Sequence, residues 1–481
     1  MAEERHKERR QGNRELAEFV SQFKQSKAGM LGLALIVIFI LLSVYVVIAY
    51  PYQEVVKWND VREWSNNPPT APPFWAKVFS GRDLPETQVL NGSVARRYNV
   101  EGIYFEDRVL DLSYTYDEAP SEIIVNLDVT FQGGAPLIEV SWTKPSGATI
   151  TVLREAAERS TGGPPYNFNH RLYVFIDQEV KTNMVDYLLS RYGVYVPTGS
   201  VSVANILFGK DSPSLANASS IDIEKGIYQL KIHLQAYDVK DAITGFSAVV
   251  KGKVWGWMGT DIWGRDLLIG ILWGTPVALL IGALTSVLSV GIGMVVGIVS
   301  GFYEGRIGEV LERITDFFYM LPVLPLLIFV SFILRPSIWV MIPLLSLFGW
   351  PGIAKTARSI ALQVKQETYV EAARALGASN SWILIHHIAP QTLPFSFANI
   401  ALSVPGYIFT EASISFLGLG DPVLPTWGKI LGDAQASGAT IGGYWWWVLI
   451  PGVMIFLVAI SFALLGNALD RIVAPRLRRR E

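Results

Sequence analysis

From Gly29 to Tyr50 the chain carries no charged side chain. An apolar run of about twenty residues is long enough to cross a bilayer as a helix. Each Leu, Ile, Val or Phe contributes about −0.5 kcal/mol to insertion, so this run is expected to span. A long mixed-charge segment precedes it, and the run therefore reads as a retained anchor rather than a cleaved signal peptide. Charge-poor windows recur at Gly274 to Phe302, Ile314 to Leu334, Ile338 to Ile353, Phe395 to Leu417 and Trp447 to Leu469. No soluble core of 481 residues needs so many. The expected fold class is an all-α polytopic membrane protein with six transmembrane helices.

Between the first two spans the character changes. Residues 51–258 are polar, with Pro- and Asn-rich stretches such as SNNPPTAPP. They also hold short alternating or β-branched runs: EIIVNLDVTF, PLIEVSW, TITVL, RLYVFI, YQLKIHLQAYDV and FSAVVKGKVW. Such runs predict strands, and hence an inserted β-rich domain. The remaining divisions are an amino-terminal segment 1–28, a first helix 29–50, a five-helix core 259–470 and a basic tail 471–481. Within the first segment Leu16, Phe19, Val20 and Phe23 recur at helical spacing, predicting an amphipathic helix on the membrane surface.

Orientation follows from the Lys and Arg near the span ends. Arg9, Arg10, Arg14, Lys24 and Lys27 mark the amino end, and RLRRR closes the carboxyl end. With an even number of spans both termini lie in the cytoplasm. Arg306, Arg313, Lys355, Arg358, Lys365 and Arg374 then fall in inner loops, while the outer loops at Arg335 and Lys429 are nearly bare of positive charge. The insert is expected to be extracellular, in a multi-pass protein of the cell membrane. Trp445, Trp446 and Trp447 are expected to mark the outer boundary of the last span. Asn91 and Asn217 begin N-x-S sequons on that side, usable only where the host glycosylates.

Several chemistries have no residues to carry them. A net charge of −2 gives no clustered basic surface for nucleic acid. Cysteine is absent, which excludes disulfides, thiol chemistry and cysteine-based metal sites. No G-x-x-x-x-G-K-[ST] loop cradles a nucleotide, so any ATP must be bound and hydrolysed elsewhere. His386 and His387 are adjacent, about 100° apart on a helix, and would not share a metal. The expectation is no catalytic residue, no metal and no cofactor in this chain.

The most informative stretch is KQETYVEAARALGASNSWILIHHIAPQTLP, residues 365–394. Glu367, Thr368 and Tyr369 lead into a helix through EAARALG that stops at Gly377, where glycine accepts the left-handed turn ending a helix. A second short helix, SNSWILIHHIA, is expected to run to Pro390. Paired alanines permit close helix approach, Gly sharpens the turn, and Glu offers a directed acceptor. The bland alternative is an ordinary surface helix.

The run EAA, three residues, Gly, nine residues and a stretch ending in Pro resembles the signature loop of ABC importer permeases. It maps onto Glu371, Ala372, Ala373, Gly377 and Pro390. His387 and Ala389 stand where the general pattern has Ile and Leu, and HHI near a Pro resembles the dipeptide and oligopeptide branch. MGTDIWGRDLL and SFLGLGDPVLPTWG resemble segments of the dipeptide, oligopeptide and nickel permeases. The resemblance covers Gly259 to the carboxyl end and the first span and does not extend to the insert.

The resemblance implies a type I ABC importer permease fold, a heterodimer with a second homologous permease, two ABC ATPase subunits carrying ATP and Mg, an extracellular solute-binding protein and a lipid bilayer around the helices. It implies that the loop at Glu371 to Gly377 couples to the ATPases, and that the cargo is a di- or oligopeptide, with oligosaccharides or nickel as alternatives. A different class, a membrane-anchored sensor or assembly protein, would use the β-rich domain alone. Thr260 and Asp261 suit helix N-caps. Gly293, Gly297 and Gly301, four apart, suit close helix packing. Glu411, acidic inside a span, is expected to face the protein interior, either lining a pathway or tying helices together.

Overall fold

The computed structural model describes residues 21–216, 221–303, 305–334 and 337–478. Leu16, Phe19 and Val20 of the expected surface helix, and Asn217 of the second sequon, lie outside those residues. The chain forms two compact units: Val61–Leu267 is one, and the described residues on either side of it make the other. The helical unit opens with α1 (Lys27–Ala49), whose first turn is capped by Ser26 Oγ accepting from Gly29 N at 3.1 Å.

Among the described residues the β-rich unit holds nine strands: β1 (Gln88–Asn91), β2 (Ser93–Val100), β3 (Ile103–Tyr114), β4 (Glu122–Phe131), β5 (Leu137–Thr143), β6 (Thr149–Ala156), β7 (Tyr166–Tyr173), β8 (Gly226–Ala236) and β9 (Ala242–Lys251). They pair antiparallel in two sheets, ordered β1-β9-β4-β7 and β2-β3-β8-β5-β6. Alternation places Tyr228, Leu230, Ile232 and Leu234 of β8 inward with Ile138, Val140 and Trp142 of β5. Ile123, Val125, Leu127, Val129 and Phe131 of β4 join them in one continuous core. The helix α2 (Gln178–Tyr192) adds Val180, Met184 and Leu188 to that core at helical spacing. Asp177 caps it by accepting from Glu179 N and Val180 N, and Gly193 at φ +68° ends it. On one side of the sandwich His170 of β7 meets Glu155 of β6 at 2.5 Å, linking the two sheets. The Glu155 carboxylate raises the His170 imidazole above its ordinary value.

The two ends of this unit are stapled together. Thr70 N donates to Asp261 O (2.7 Å), Thr260 N to Ala71 O (2.8 Å), Trp255 N to Pro72 O (2.9 Å) and Phe74 N to Gly256 O (3.0 Å). Here the structure corrects the capping expectation, because α3 (Leu267–Phe302) begins only at Leu267. Thr260 Oγ1 accepts from Ala71 N and donates to Pro68 O instead. Asp261 is buried and accepts from Trp263 N and Arg265 N while pairing with the Arg265 guanidinium. Both residues hold the neck, and neither caps the helix.

The helices that follow α3 are α4 (Arg306–Met320), α5 (Val323–Ile333), α6 (Ile338–Gly349), α7 (Pro351–Lys365), α8 (Thr368–Ala375), α9 (Asn380–Phe416), α10 (Trp427–Ala436) and α11 (Trp445–Arg478). Among the described residues α1, α3, α9 and α11 are each long and apolar enough to cross a membrane, and counting the bent pairs α4–α5 and α6–α7 gives up to six. The expected single span from Ile314 to Leu334 is broken by 81°. Its cause is Pro322, which forces the residue before it out of helical geometry; Leu321 sits at ψ 135°. The expected span Ile338 to Ile353 ends at Gly349, and α7 leaves at 42° from Pro351.

Gly293, Gly297 and Gly301 of α3 face α7. A Cβ on Gly293 would lie 2.7 Å from Trp350 O, one on Gly301 would lie 2.8 Å from Arg358 O, and one on Gly297 would strike Ala354 O. The glycine face is therefore what lets these helices touch. On the other side of α7, Lys355 pairs with Asp316 of α4 at 2.7 Å and Arg358 pairs with Glu312. At the start of α11, Trp446 and Trp447 are buried and Trp445 is exposed.

Candidate functional site

The stretch 365–394 forms a helical hairpin. Its first arm is α8, and its turn falls at Gly377, with φ +86°. Gly377 N donates to Arg374 O (3.0 Å) and Ala378 N to Ala373 O (3.0 Å), closing the end of the helix. The second arm starts at Asn380, capped by Ser379 Oγ accepting from Trp382 N at 3.3 Å.

The second arm does not stop where the sequence suggested. Residues Leu384–Ile388 form a wide π turn in which Ala389 N bonds to Leu384 O, and the helix continues through Pro390 to Phe416. Pro390 has no N–H to contribute, and the widened turn just before it absorbs the missing bond. The hairpin is thus fused directly to a spanning helix, with no interruption before Phe395.

Its base is anchored by apolar burial. Val370 of α8 and Ile383 and Ile388 of the second arm pack with Ile298 and Phe302 of α3 and Ala361 and Val364 of α7. Lys365 Nζ donates to Phe302 O at 2.9 Å and lies over the Phe302 ring. Trp382 stacks on His386 at 4.6 Å between ring centroids, and His387 sits between Trp382 and Tyr369.

The tip faces outward. Glu371 and Ala372 are exposed, Ala373 is half-buried, and Gly377 and Pro390 are exposed. Leu376 is 88% exposed and Ile385 64%, so a knob with apolar side chains stands clear of the chain that supports it. The structure brings Glu371, Ala372, Ala373 and Gly377 onto one projection, with Pro390 at the foot of its second arm. The sequence reading missed the contributions of Phe302 and Lys365 to the anchor; the two are 63 residues apart, so no local signal joins them.

Glu411 lies apart from the hairpin, in the far half of α9. It is 3% exposed and accepts from Ser415 Oγ at 2.6 Å, one turn on. Thr426, just ahead of α10, is also within hydrogen-bonding reach. Nearby, Gly428 and Gly432 let α10 lie directly on Ala412 and Phe416, and Trp427 Nε1 donates to Ile271 O of α3 at 2.8 Å.

Part of this chain is similar to known proteins. Residues 293–479 match the family model of the binding-protein-dependent transport system inner membrane component, starting beyond the β-rich unit. The dipeptide transport system permease protein DppC of Bacillus subtilis is 33% identical over 224 residues, which is 46% of this chain and 69% of that one. The oligopeptide transport system permease protein OppC of the same organism is 34% identical, covering 46% and 72%. The glutathione transport system permease protein GsiD of Pectobacterium atrosepticum is 34% identical over 223 residues, covering 46% and 73%. A solved chain of the MetNI methionine ABC transporter is similar over 44% of this chain and 97% of its own, at 18% identity and a TM-score of 0.36. The chain therefore belongs to the family of binding-protein-dependent transport system inner membrane components, as a permease subunit of the ABC importer type.

Proposed function

We propose that this chain forms half of the translocation pathway of a peptide importer, with six spans, both termini cytoplasmic and the β-rich unit extracellular. The hairpin 365–394 docks on a cytoplasmic ATPase, and Glu371, Ala372, Ala373 and Gly377 make its contact surface. A second permease completes the pathway, a second ATPase completes the motor, and an external binding protein delivers cargo. The relatives carry dipeptide, oligopeptide and glutathione names, which supports a short peptide over an oligosaccharide or nickel. Glu411 is buried and bonded to Ser415 within α9, and Thr426, just ahead of α10, interacts with its carboxylate, which supports the inter-helix role.

The observation that carries this reading is the knob itself. Its buried residues all point to the ends of α3 and α7, and its exposed ones include apolar side chains that water alone would not favour. A ligand shifts a conformational equilibrium only by its differential affinity for the two states, so ATP reaches the spans only through a firm joint. That joint is continuous with α9 at one end and packed on α3 and α7 at the other.

The test is peptide uptake by Glu371→Pro and Gly377→Trp variants. Proline inside α8 costs about 3 kcal/mol of helix, and a side chain at the left-handed Gly377 adds bulk where the space is otherwise open. Both are expected to abolish uptake and peptide-stimulated ATP hydrolysis while the protein still reaches the membrane. Uptake that survives in both variants contradicts the coupling role.

A further inference from the structure

We propose that the neck of the β-rich unit carries a lipid anchor, in which Phe74, Trp75, Val78, Phe79 and Trp257 form one pad seated in the headgroup region of the outer leaflet. The inference rests on the reading above that α3 spans the membrane and the β-rich unit lies outside.

The pad is one assembled surface. The Phe74 and Trp257 rings meet edge-on at 4.9 Å, and Trp75 and Phe79 at 6.4 Å. Trp75 Nε1 donates to Trp257 O at 2.8 Å, which fixes the two short segments to each other. Yet the group is bare: Phe79 is 81% exposed, Val78 77% and Trp257 64%. Lys77, in the same segment, is paired with Glu86 at 2.7 Å, so the exposed pad residues themselves are apolar and aromatic.

Its position names the occupant. Gly259, two residues after Trp257, accepts from Leu267 N at 3.1 Å, and Trp255 Nε1 donates to Asp266 Oδ2 at 3.2 Å. The segment that carries Trp257 is therefore held to Asp266 and Leu267, where α3 begins. From Leu267 to Tyr303 no charged residue occurs, so the apolar run of the span begins at that bond. Trp and Phe favour the level where water meets the acyl chains, since their rings are apolar and the indole N–H is satisfied. By contrast the exposed Val94 and Val100 of β2 are interspersed with Arg96, Arg97 and Asn99, the composition of a wetted edge.

Because the chain has no cysteine, each introduced thiol is the only one in it, and the complex without that thiol gives the background from the accompanying subunits. The full chain, purified with its accompanying subunits into phosphatidylcholine nanodiscs, is spin-labelled separately at Phe79→Cys, Trp257→Cys, Val100→Cys and Ile38→Cys. Collision rates are measured with oxygen, which partitions into lipid, and with a water-soluble nickel chelate. The oxygen-to-nickel ratio at Phe79→Cys and Trp257→Cys is expected severalfold above that at Val100→Cys and below that at Ile38→Cys in α1. Ratios equal to that of Val100→Cys overturn the anchor. Protection that appears only when a binding protein is added also overturns it, and assigns the pad to a protein. A wet Ile38→Cys would instead strike the membrane reading on which the proposal stands.

Discussion

The two units of this chain solve opposite problems. The β-rich unit gathers Trp142, Tyr228, Phe131 and Phe208 into a core sealed from solvent, and hides even Lys144 by bonding it to Gly209 O and Asp211. The helical unit leaves large apolar side chains bare along its helices, with Ile48 75% exposed, Met320 80% and Phe332 84%. In water the second pattern would be a liability. It is the expected pattern where lipid tails and partner helices are the solvent, because burying a leucine then gains little over leaving it in hydrocarbon. Contact in the helical unit depends instead on small residues, as at Gly297 against Ala354 and Ala357, and at Gly32 against the α11 backbone.

That contrast can be broken most strongly at Trp142. Its indole is 2% exposed, and its Nε1 donates to Leu207 O at 3.0 Å. Trp142→Ala should cost about 3–5 kcal/mol, read as lost hydrogen-exchange protection of β5 and β8 in the full chain. Leu41→Ala on the bare face of α1, 63% exposed, should change stability by less than about 0.5 kcal/mol in lipid. Equal effects at the two sites would mean that both units answer to the same solvent.

A smaller effect sharpens the same contrast through pH, which the β-rich unit senses at its inter-sheet link. Glu155 raises the folded-state value of His170, so the contribution is full below the unfolded value of 6.5 and is lost as pH rises through the folded one. Exchange protection of β6 and β7 should fall by about 1 kcal/mol or less across that rise. His170→Gln should flatten the dependence, and an unchanged profile would remove the link from the account.

Much of the helical unit was legible because its signals are local. A charge-free run, a Gly at the end of EAARALG and glycines every four residues each act within a turn or two. What escaped depended on partners far along the chain. β3 contains Glu106, Asp107 and Arg108, which spoil an apolar alternation in sequence. In the fold Glu106 pairs with Arg108 and Arg97, and Asp107 with His233 and Lys231, so the charges are satisfied within one sheet. The start of α4 was missed for the same reason: Glu309, Glu312 and Arg313 look wrong for a span until Arg358 of α7 is beside Glu312. The unbroken passage through Pro390 was hidden because a proline reads as a stop, and only the π turn before it shows otherwise. For the candidate site, the hairpin and its turn could be read from residues 365–394, whereas its anchoring by Phe302 could not.

The most direct test of the hairpin as a joint is a photocrosslinker on Leu376→Cys, at the exposed tip of the knob, in the intact assembly. The account predicts a crosslink to a nucleotide-hydrolysing subunit whose yield changes when ATP is added. A tip that crosslinks to no such subunit, or that a membrane-impermeant thiol reagent reaches from outside the cell, would contradict it.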